Sequence, residues 1–339
     1  MNAIVERTDV AIIGAGPVGL FAVFECGMLG MRCHVFDVLD QAGGQCAALY
    51  PEKPIYDIPG YPRIEAAALI ERLEDQAAPF APVYHWGRAV EQVAALPGGG
   101  FRVATAHAAV EARAVIVAAG VGAFGPNRPP LAGIEAFEGT SVFYLVTRRE
   151  AFRGRRIVIA GGGDSAVDWA LSLAEVAAQV MMVHRRAKFR AAPDSVARLE
   201  RLAQIGRIEL VTPFQLHALE GAGGRLEAVI VANLAGATVR LEADALLAFF
   251  GLSQDLGPIA AWGLALERHQ VLVEPATCMS SARGIFAIGD IAAYPGKLKL
   301  ILSGFAEAAL AAHAIHPLVH PGEALHFEYS TTKGVPGSA

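Results

Sequence analysis

Cysteine is scarce in this chain. Four occur in 339 residues, Cys26, Cys33, Cys46 and Cys278, with no C-x-x-C pair and no metal-ligand spacing. Buried free thiols are the plain reading, and a disulfide-stapled secreted domain is excluded. No uninterrupted apolar run reaches the roughly 18 residues that a membrane-spanning helix needs. Charge is modest at 18% against 54% hydrophobic residues, a balance that excludes disorder. Behind the short, charged Met1–Arg7, the apolar Val10–Ile13 runs straight into a glycine turn instead of a signal-peptide core. A cytoplasmic protein with no membrane or nucleic-acid partner is expected, and its length suggests about two domains.

What is present is glycine in two matched places. Ile157–Ala160 is an apolar strand running into Gly161-x-Gly163-x-x-Ala166, then a helical run over Val167–Ala178. The first glycine permits a tight turn, the second admits a pyrophosphate, and the small third residue lets helix pack on strand. The helix amino terminus offers unpaired N–H groups to the phosphates. A second strand, Val180–Val183, ends in His184-Arg185-Arg186, 23 positions after Gly161. Guanidinium groups there suit a 2′-phosphate, which points to NADPH rather than NADH.

The same design occurs earlier. Asp9–Ile13 leads into Gly14-x-Gly16-x-x-Gly19, a helix over Leu20–Leu29 and a strand Cys33–Phe36 ending at Asp37, again 23 positions after the first glycine. A carboxylate accepts hydrogen bonds from both ribose hydroxyls of an adenosine with a free 2′-OH. Two units with opposite ribose chemistry imply two dinucleotides, FAD in the first and NADPH in the second.

Between and around these units, residues 38–64 form a loop-rich insertion with Gln45, Tyr50 and Tyr56, placed where ligands of parallel sheets bind. Tyr50 is a candidate to stack on a flavin ring, an ordinary half-buried loop aromatic being the alternative. A helix is expected over Ile64–Phe80, strands over Val83–Val93, Phe101–Ala106, Val110–Ala112 and Ala114–Gly120, and an interdomain break at Pro126, Pro129 and Pro130. Ala245–Gly251 and Ala282–Asp290 read as further strands, the latter delivering Asp290 to the first cofactor. Leu302–Ile315 reads as a helix. The span Arg148–Arg207 is rich in arginine. Arg148, Arg149, Arg153, Arg155 and Arg156 form a candidate docking face for an acidic partner, and solvated helix charge is the alternative.

The order GxGxxG, GGQ, a strand ending in AAG, GGGDSA, HRR and GIFAIGD is similar to the thioredoxin-reductase superfamily of two-domain flavoproteins. The stretch where its disulfide reductases carry C-x-x-C, Phe143–Arg149, has no cysteine, so thiol–disulfide exchange lacks a nucleophile. The segments Ala48–Pro62, Gly161–Leu171 and His184–Ala191 resemble the thioredoxin-reductase-like ferredoxin/flavodoxin–NADP reductases more closely. That resemblance implies an α/β fold of two Rossmann-like domains of the three-layer ββα type. The NADPH domain (residues 123–251) is inserted into a discontinuous FAD domain (1–122 and 252–325), and a C-terminal extension (326–339) follows. It places Gly14, Gly16, Pro17, Gly19, Asp37, Gln45, Tyr50, Val90, Phe124, Asp290 and Thr331 on FAD. It places Gly163, Asp164, Ser165, His184, Arg185, Arg186 and Arg190 on NADPH. Tyr329 becomes the second flavin-stacking ring, with His326 and Phe327 as rivals.

The activity implied is electron transfer between NADPH and ferredoxin or flavodoxin through FAD, by hydride transfer at flavin N5 and single-electron steps to the partner. No acid–base side chain and no metal are needed, and a homodimer is implied. Two alternatives stay open: another NADPH-dependent FAD reductase acting on a quinone or small molecule, and a non-enzymatic FAD-binding redox sensor. The latter has no use for the basic end at His184–Arg186.

Overall fold

The computed structural model describes residues 6–325, 331 and 334–335. The chain divides into two compact units, Met1–Phe124 with Gln254–Ala339, and Gly125–Ser253. It crosses from one to the other in the strands Ala123–Pro126 and Leu252–Asp255.

The first unit is built on a parallel sheet in the order Val83–His85, Cys33–Phe36, Glu6–Ile13, Ala109–Val117, with Ile285–Ala287 also on the last of these. Val10, Ala11 and Ile12 have no exposed surface, because a central parallel strand is covered on both faces and so reads as continuous apolar sequence. On one face the helices Pro17–Met28 and Ile301–Val319 pack through Ala22, Val23, Cys26, Ala308, Ala311 and Ala312. Small residues let the helices lie close. On the other face the hairpin Val90–Ala95 and Phe101–Thr105 runs antiparallel to the amino half of Ala109–Val117, making the third layer. Register brings the two ribose-side strand ends level, with Ile13 opposite both Phe36 and Val117.

The second unit repeats the plan. Its parallel sheet runs Val142–Phe143, Ala245–Ala248, Arg156–Ala160, Gln179–Val183, Ile208–Val211. The helices Asp164–Leu173 and Pro193–Gln204 contribute Ala166, Val167, Ala170 and Leu199 to the core on one face. The opposite face is covered by an antiparallel meander, Gln215–Ala222, Arg225–Ala232 and Thr238–Glu242.

Several expected elements shift. The second glycine turn feeds a helix that starts at Asp164 and ends at Leu173, not Ala178; Gly163 is its cap, so the acidic Asp164 sits in the first turn. Val83–Val93 is two strands, broken where Gly87 takes φ +64°. Ile64–Phe80 opens with a two-residue strand before the helix Ala66–Ala77. The expected strands Val110–Ala112 and Ala114–Gly120 are one continuous strand.

Candidate functional site

In the first unit the three glycines of the turn do three different things. Gly14 has φ +109°, and a Cβ there would lie 2.4 Å from the Ala118 carbonyl oxygen. A Cβ on Gly19 would lie 1.9 Å from the Gly14 oxygen, so only glycine lets the helix sit on the turn. Gly16 is the opposite case: nothing lies within 4 Å of its Cβ position. It caps the helix Pro17–Met28, with Pro17 at the first helical position, where its missing N–H costs nothing. The space over Gly16 is thus a cradle facing the unpaired N–H groups of a helix end.

That cradle opens into a cavity of about 360 Å³, within the usual range for small-molecule sites. Gly14, Gly16, Pro17, Asp37, Gln45, Tyr50, Val90 and Asp290 all line it. Asp37 is held at both oxygens. Its Oδ2 accepts from the Ala15 N–H at 2.7 Å and Oδ1 from the Leu39 N–H at 2.9 Å. Each oxygen keeps a lone pair for a further donor such as a ribose hydroxyl. Burial pushes the Asp37 carboxyl above its ordinary value, against the pull of these backbone donors.

The 38–64 insertion is tied to the glycine turn by the Gly43 N–H donating to the Ala15 carbonyl at 2.8 Å. This places Gln45 and Tyr50 on the cavity. The Tyr50 hydroxyl lies 3.7 Å from the Cys46 sulfur, and burial raises the pKa of both groups, that of Cys46 to about 11. Cys46 is therefore an inert thiol, and Cys26, Cys33 and Cys278 are likewise buried.

The motif reading missed part of this wall. Arg88 lines the cavity because its N–H donates to the Asp37 carbonyl at 2.8 Å, across the loop that breaks Val83–Val93. Lys299, Leu300 and Ile301 bring a second helix amino terminus to the cavity. Behind the Gly289–Asp290 turn, the carboxylate of Glu307 is buried. It accepts from the Gly289 N–H at 2.7 Å and from the Tyr294 hydroxyl at 2.7 Å, and it pairs with Lys297. The only sequence signal was a single carboxylate inside an apolar, alanine-rich helix.

In the second unit, nothing lies within 4 Å of a Cβ built on Gly163, again at a helix cap, whereas one on Gly161 would meet the Phe249 oxygen at 2.7 Å. Ser165 is exposed in the first helical turn. Asp164 points elsewhere: its Oδ1 accepts from the Ala192 N–H at 2.8 Å. The Arg190 N–H donates to the Gly162 carbonyl at 2.7 Å. These two bonds tie the loop 185–192 onto the glycine turn. His184 completes the tie. Its ring is buried over Gly162, where a Cβ would lie 2.2 Å from it, and stacks on Phe189 at 5.4 Å. Its Nε2 has no hydrogen-bond partner among the described residues, and its pKa is lowered by burial and by Arg190, Arg185 and Arg186. The imidazole is packed under the loop, while Arg185, Arg186 and Arg190 are exposed and make no ion pair among the described residues.

The candidate docking face at Arg148–Arg156 is largely spent within the unit. Arg149 pairs with Glu175, Arg153 with Glu150, and Arg156 with Glu242 and Asp244. Neutralised pairs steer a partner weakly, which weakens the electrostatic case for that face. Thr331 is exposed. The side chain of Phe124, and Tyr329 with its rivals His326 and Phe327, lie outside the described residues.

Comparison with known proteins fits this geometry. A family described as pyridine nucleotide-disulphide oxidoreductase matches residues 8–314. A ferredoxin–NADP reductase of Paramagnetospirillum magneticum is 65% identical over 332 residues, covering 98% of each chain. One from Acidiphilium cryptum is 65% identical over 334 residues, again 98% of each. Among solved structures, a thioredoxin reductase of T. acidophilum superposes with TM-score 0.79 at 23% identity, covering 92% of this chain and 98% of that one. This likeness shows the shared two-domain α/β fold.

Proposed function

We infer the activity from one premise: this chain belongs to the pyridine nucleotide-disulphide oxidoreductase family, and within it to the ferredoxin–NADP reductases. It is an FAD- and NADPH-dependent enzyme that moves electrons between NADPH and ferredoxin. The observation that carries this reading beyond the family is the pairing of opposite ribose ends. A held carboxylate closes the first glycine turn, and three exposed arginines, in no ion pair among the described residues, close the second.

The residues of the first unit fit FAD. The open space over Gly16 takes the pyrophosphate, against the positive end of the helix Pro17–Met28. Asp37 accepts from the ribose. Tyr50 supplies one face for the ring system, Asp290 faces its other polar groups, and Tyr329 is the proposed second ring. The residues of the second unit fit NADPH. Gly163 and Ser165 receive the pyrophosphate, and Arg185, Arg186 and Arg190 hold the 2′-phosphate, each by charge-assisted hydrogen bonds. His184 and Asp164 act at one remove, by fixing the loop on which those arginines stand.

When bound, the nicotinamide supplies a hydride and the flavin converts that two-electron input into single electrons. This chain's own residues have no proton to deliver for that exchange, and none of its cysteines lies in the second unit, where a redox dithiol would act. Its work is to orient the two cofactors and select the phosphorylated one. A flavodoxin as alternative acceptor, a homodimer and a cytoplasmic location rest on the family resemblance. No helix among the described residues is long and apolar enough to cross a membrane.

The test is cytochrome c reduction with NADPH or NADH, with and without ferredoxin. A rate that needs both ferredoxin and NADPH is expected. NADPH oxidation with no ferredoxin dependence would move the assignment to another acceptor.

A further inference from the structure

Outside both dinucleotide sites, three side chains of ligand type converge in the first unit. Glu6, His34 and His85 stand on three neighbouring strands, and one potential ligand atom from each lies within 4.8 Å of the others. His34 Nδ1 is 3.0 Å from His85 Nε2 and 3.7 Å from Glu6 Oε2. Tetrahedral zinc with bonds of about 2.0–2.2 Å sets its ligand atoms roughly 3.2–3.6 Å apart. The two histidines are within a few tenths of an ångström of that spacing without backbone movement. Sheet register holds them there, since His85 sits opposite Phe36, two residues along the strand from His34.

Two facing imidazoles with no cation share a single hydrogen, and that bond is what the structure contains. A metal ion replaces it once the donating ring carries its proton on its other nitrogen, with no net loss of protons. The carboxylate distinguishes this cluster from a simple histidine pair. Glu6 brings a compensating negative charge, and its side chain is 61% exposed, which leaves a path for the ion to enter. The nearby Arg32 guanidinium is drawn off by Asp9 at 3.3 Å. We propose that Glu6, His34 and His85 bind a divalent transition metal, with zinc the best match to two imidazoles, one carboxylate and an open fourth position.

The site borders the first cavity. The His85 ring stacks on Phe36 at 4.4 Å with 8° between planes, Phe36 lines the cavity, and the Asp37 N–H donates to the His85 carbonyl. The experiment therefore uses the FAD-loaded protein, so that the contents of the cavity stay constant.

Metal-stripped protein is titrated with zinc chloride against a chromophoric zinc chelator, and crystals soaked in zinc are measured at the zinc absorption edge. One zinc per chain is expected, with an anomalous peak between His34 and His85. Affinity should fall at least about 10-fold in Glu6→Gln and further in His85→Gln, and stay unchanged in His269→Gln, an exposed histidine elsewhere. Glu6→Gln alters only an exposed side chain, so it decides the matter if His85→Gln does not fold. Absence of stoichiometric binding would overturn the proposal. So would binding that neither variant weakens, which would place the metal elsewhere, as at His313, His316 and His320.

Discussion

Glu307 and Lys297 form an ion pair with side chains only 3% and 6% exposed, directly behind the turn that carries Asp290. Removing one partner of such a pair leaves the other charge buried and unpaired, which costs about 3–5 kcal/mol. Glu307→Gln isolates that effect, because the amide oxygen still accepts from the Gly289 N–H. Glu307→Ala adds the loss of an acceptor for Gly289 and Tyr294, about 1–3 kcal/mol for each group stranded. Lys297→Met with Glu307→Gln removes both charges together, so the double variant should lose no more than about 2 kcal/mol, far below the sum of the singles. The assay is urea unfolding followed by flavin fluorescence, which reports on the unit holding the cavity. Single variants costing less than about 1 kcal/mol, the range of exposed pairs, would refute the reasoning, as would a double variant equal to the sum. The pair's field is also felt at Cys278, where burial first and the Glu307 charge second raise the thiol to about 12.

Replacing Arg185 and Arg186 by Ala should raise the NADPH KM steeply, each lost charged hydrogen-bonding group being worth about 1.5–3 kcal/mol, and leave NADH kinetics nearly unchanged; equal effects on both coenzymes would remove the 2′-phosphate assignment. Gly16→Ala, with φ −68° and open space around its Cβ, should keep the fold and lose FAD affinity, whereas Gly14→Ala, at φ +109° against the Ala118 carbonyl, should lower the melting temperature even of the flavin-free protein. If the two behave alike, the division of labour within the turn is wrong. His184 has its pKa lowered from 6.5 by burial and then by the arginines. The neutral ring is the folded form, so its contribution is complete above the unfolded pKa and is lost as pH falls below about 6.5. The NADPH KM should therefore rise on acidification in the parent and much less in His184→Gln; identical profiles would show that the loop does not depend on the neutral ring.

The parts of this molecule that sequence made legible are those in which chemistry and local geometry coincide. A strand ending on glycine, a helix start after it and a charged residue at the next strand's end are all set by local spacing, so the turns at Gly14 and Gly161 and the strand ends at Asp37 and His184 are legible from sequence. Glu307 is not, because its partners Gly289, Tyr294 and Lys297 come together only when the helix Ile301–Val319 docks. Arg88 reaches the cavity through a backbone bond to Asp37, a contact with no pattern in its own neighbourhood. The outer strands of the meander 215–242, Gln215–Ala222 and Thr238–Glu242, are largely exposed and of mixed polar sequence, and only the central Arg225–Ala232 carries an apolar, mostly buried run. His184 stands beside two arginines in the sequence, and its ring packs under the loop that carries them.

That last placement bears on how such a chain changes by mutation. The path of residues 185–192 is held by the His184 ring, the Phe189 ring, two backbone donors and Asp164. None of these depends on a guanidinium. The frame of the loop and the letters written on it are thus inherited separately. On the proposed 2′-phosphate assignment, substitutions at 185, 186 and 190 would change the preferred coenzyme one step at a time, each intermediate keeping a folded loop on which selection can act.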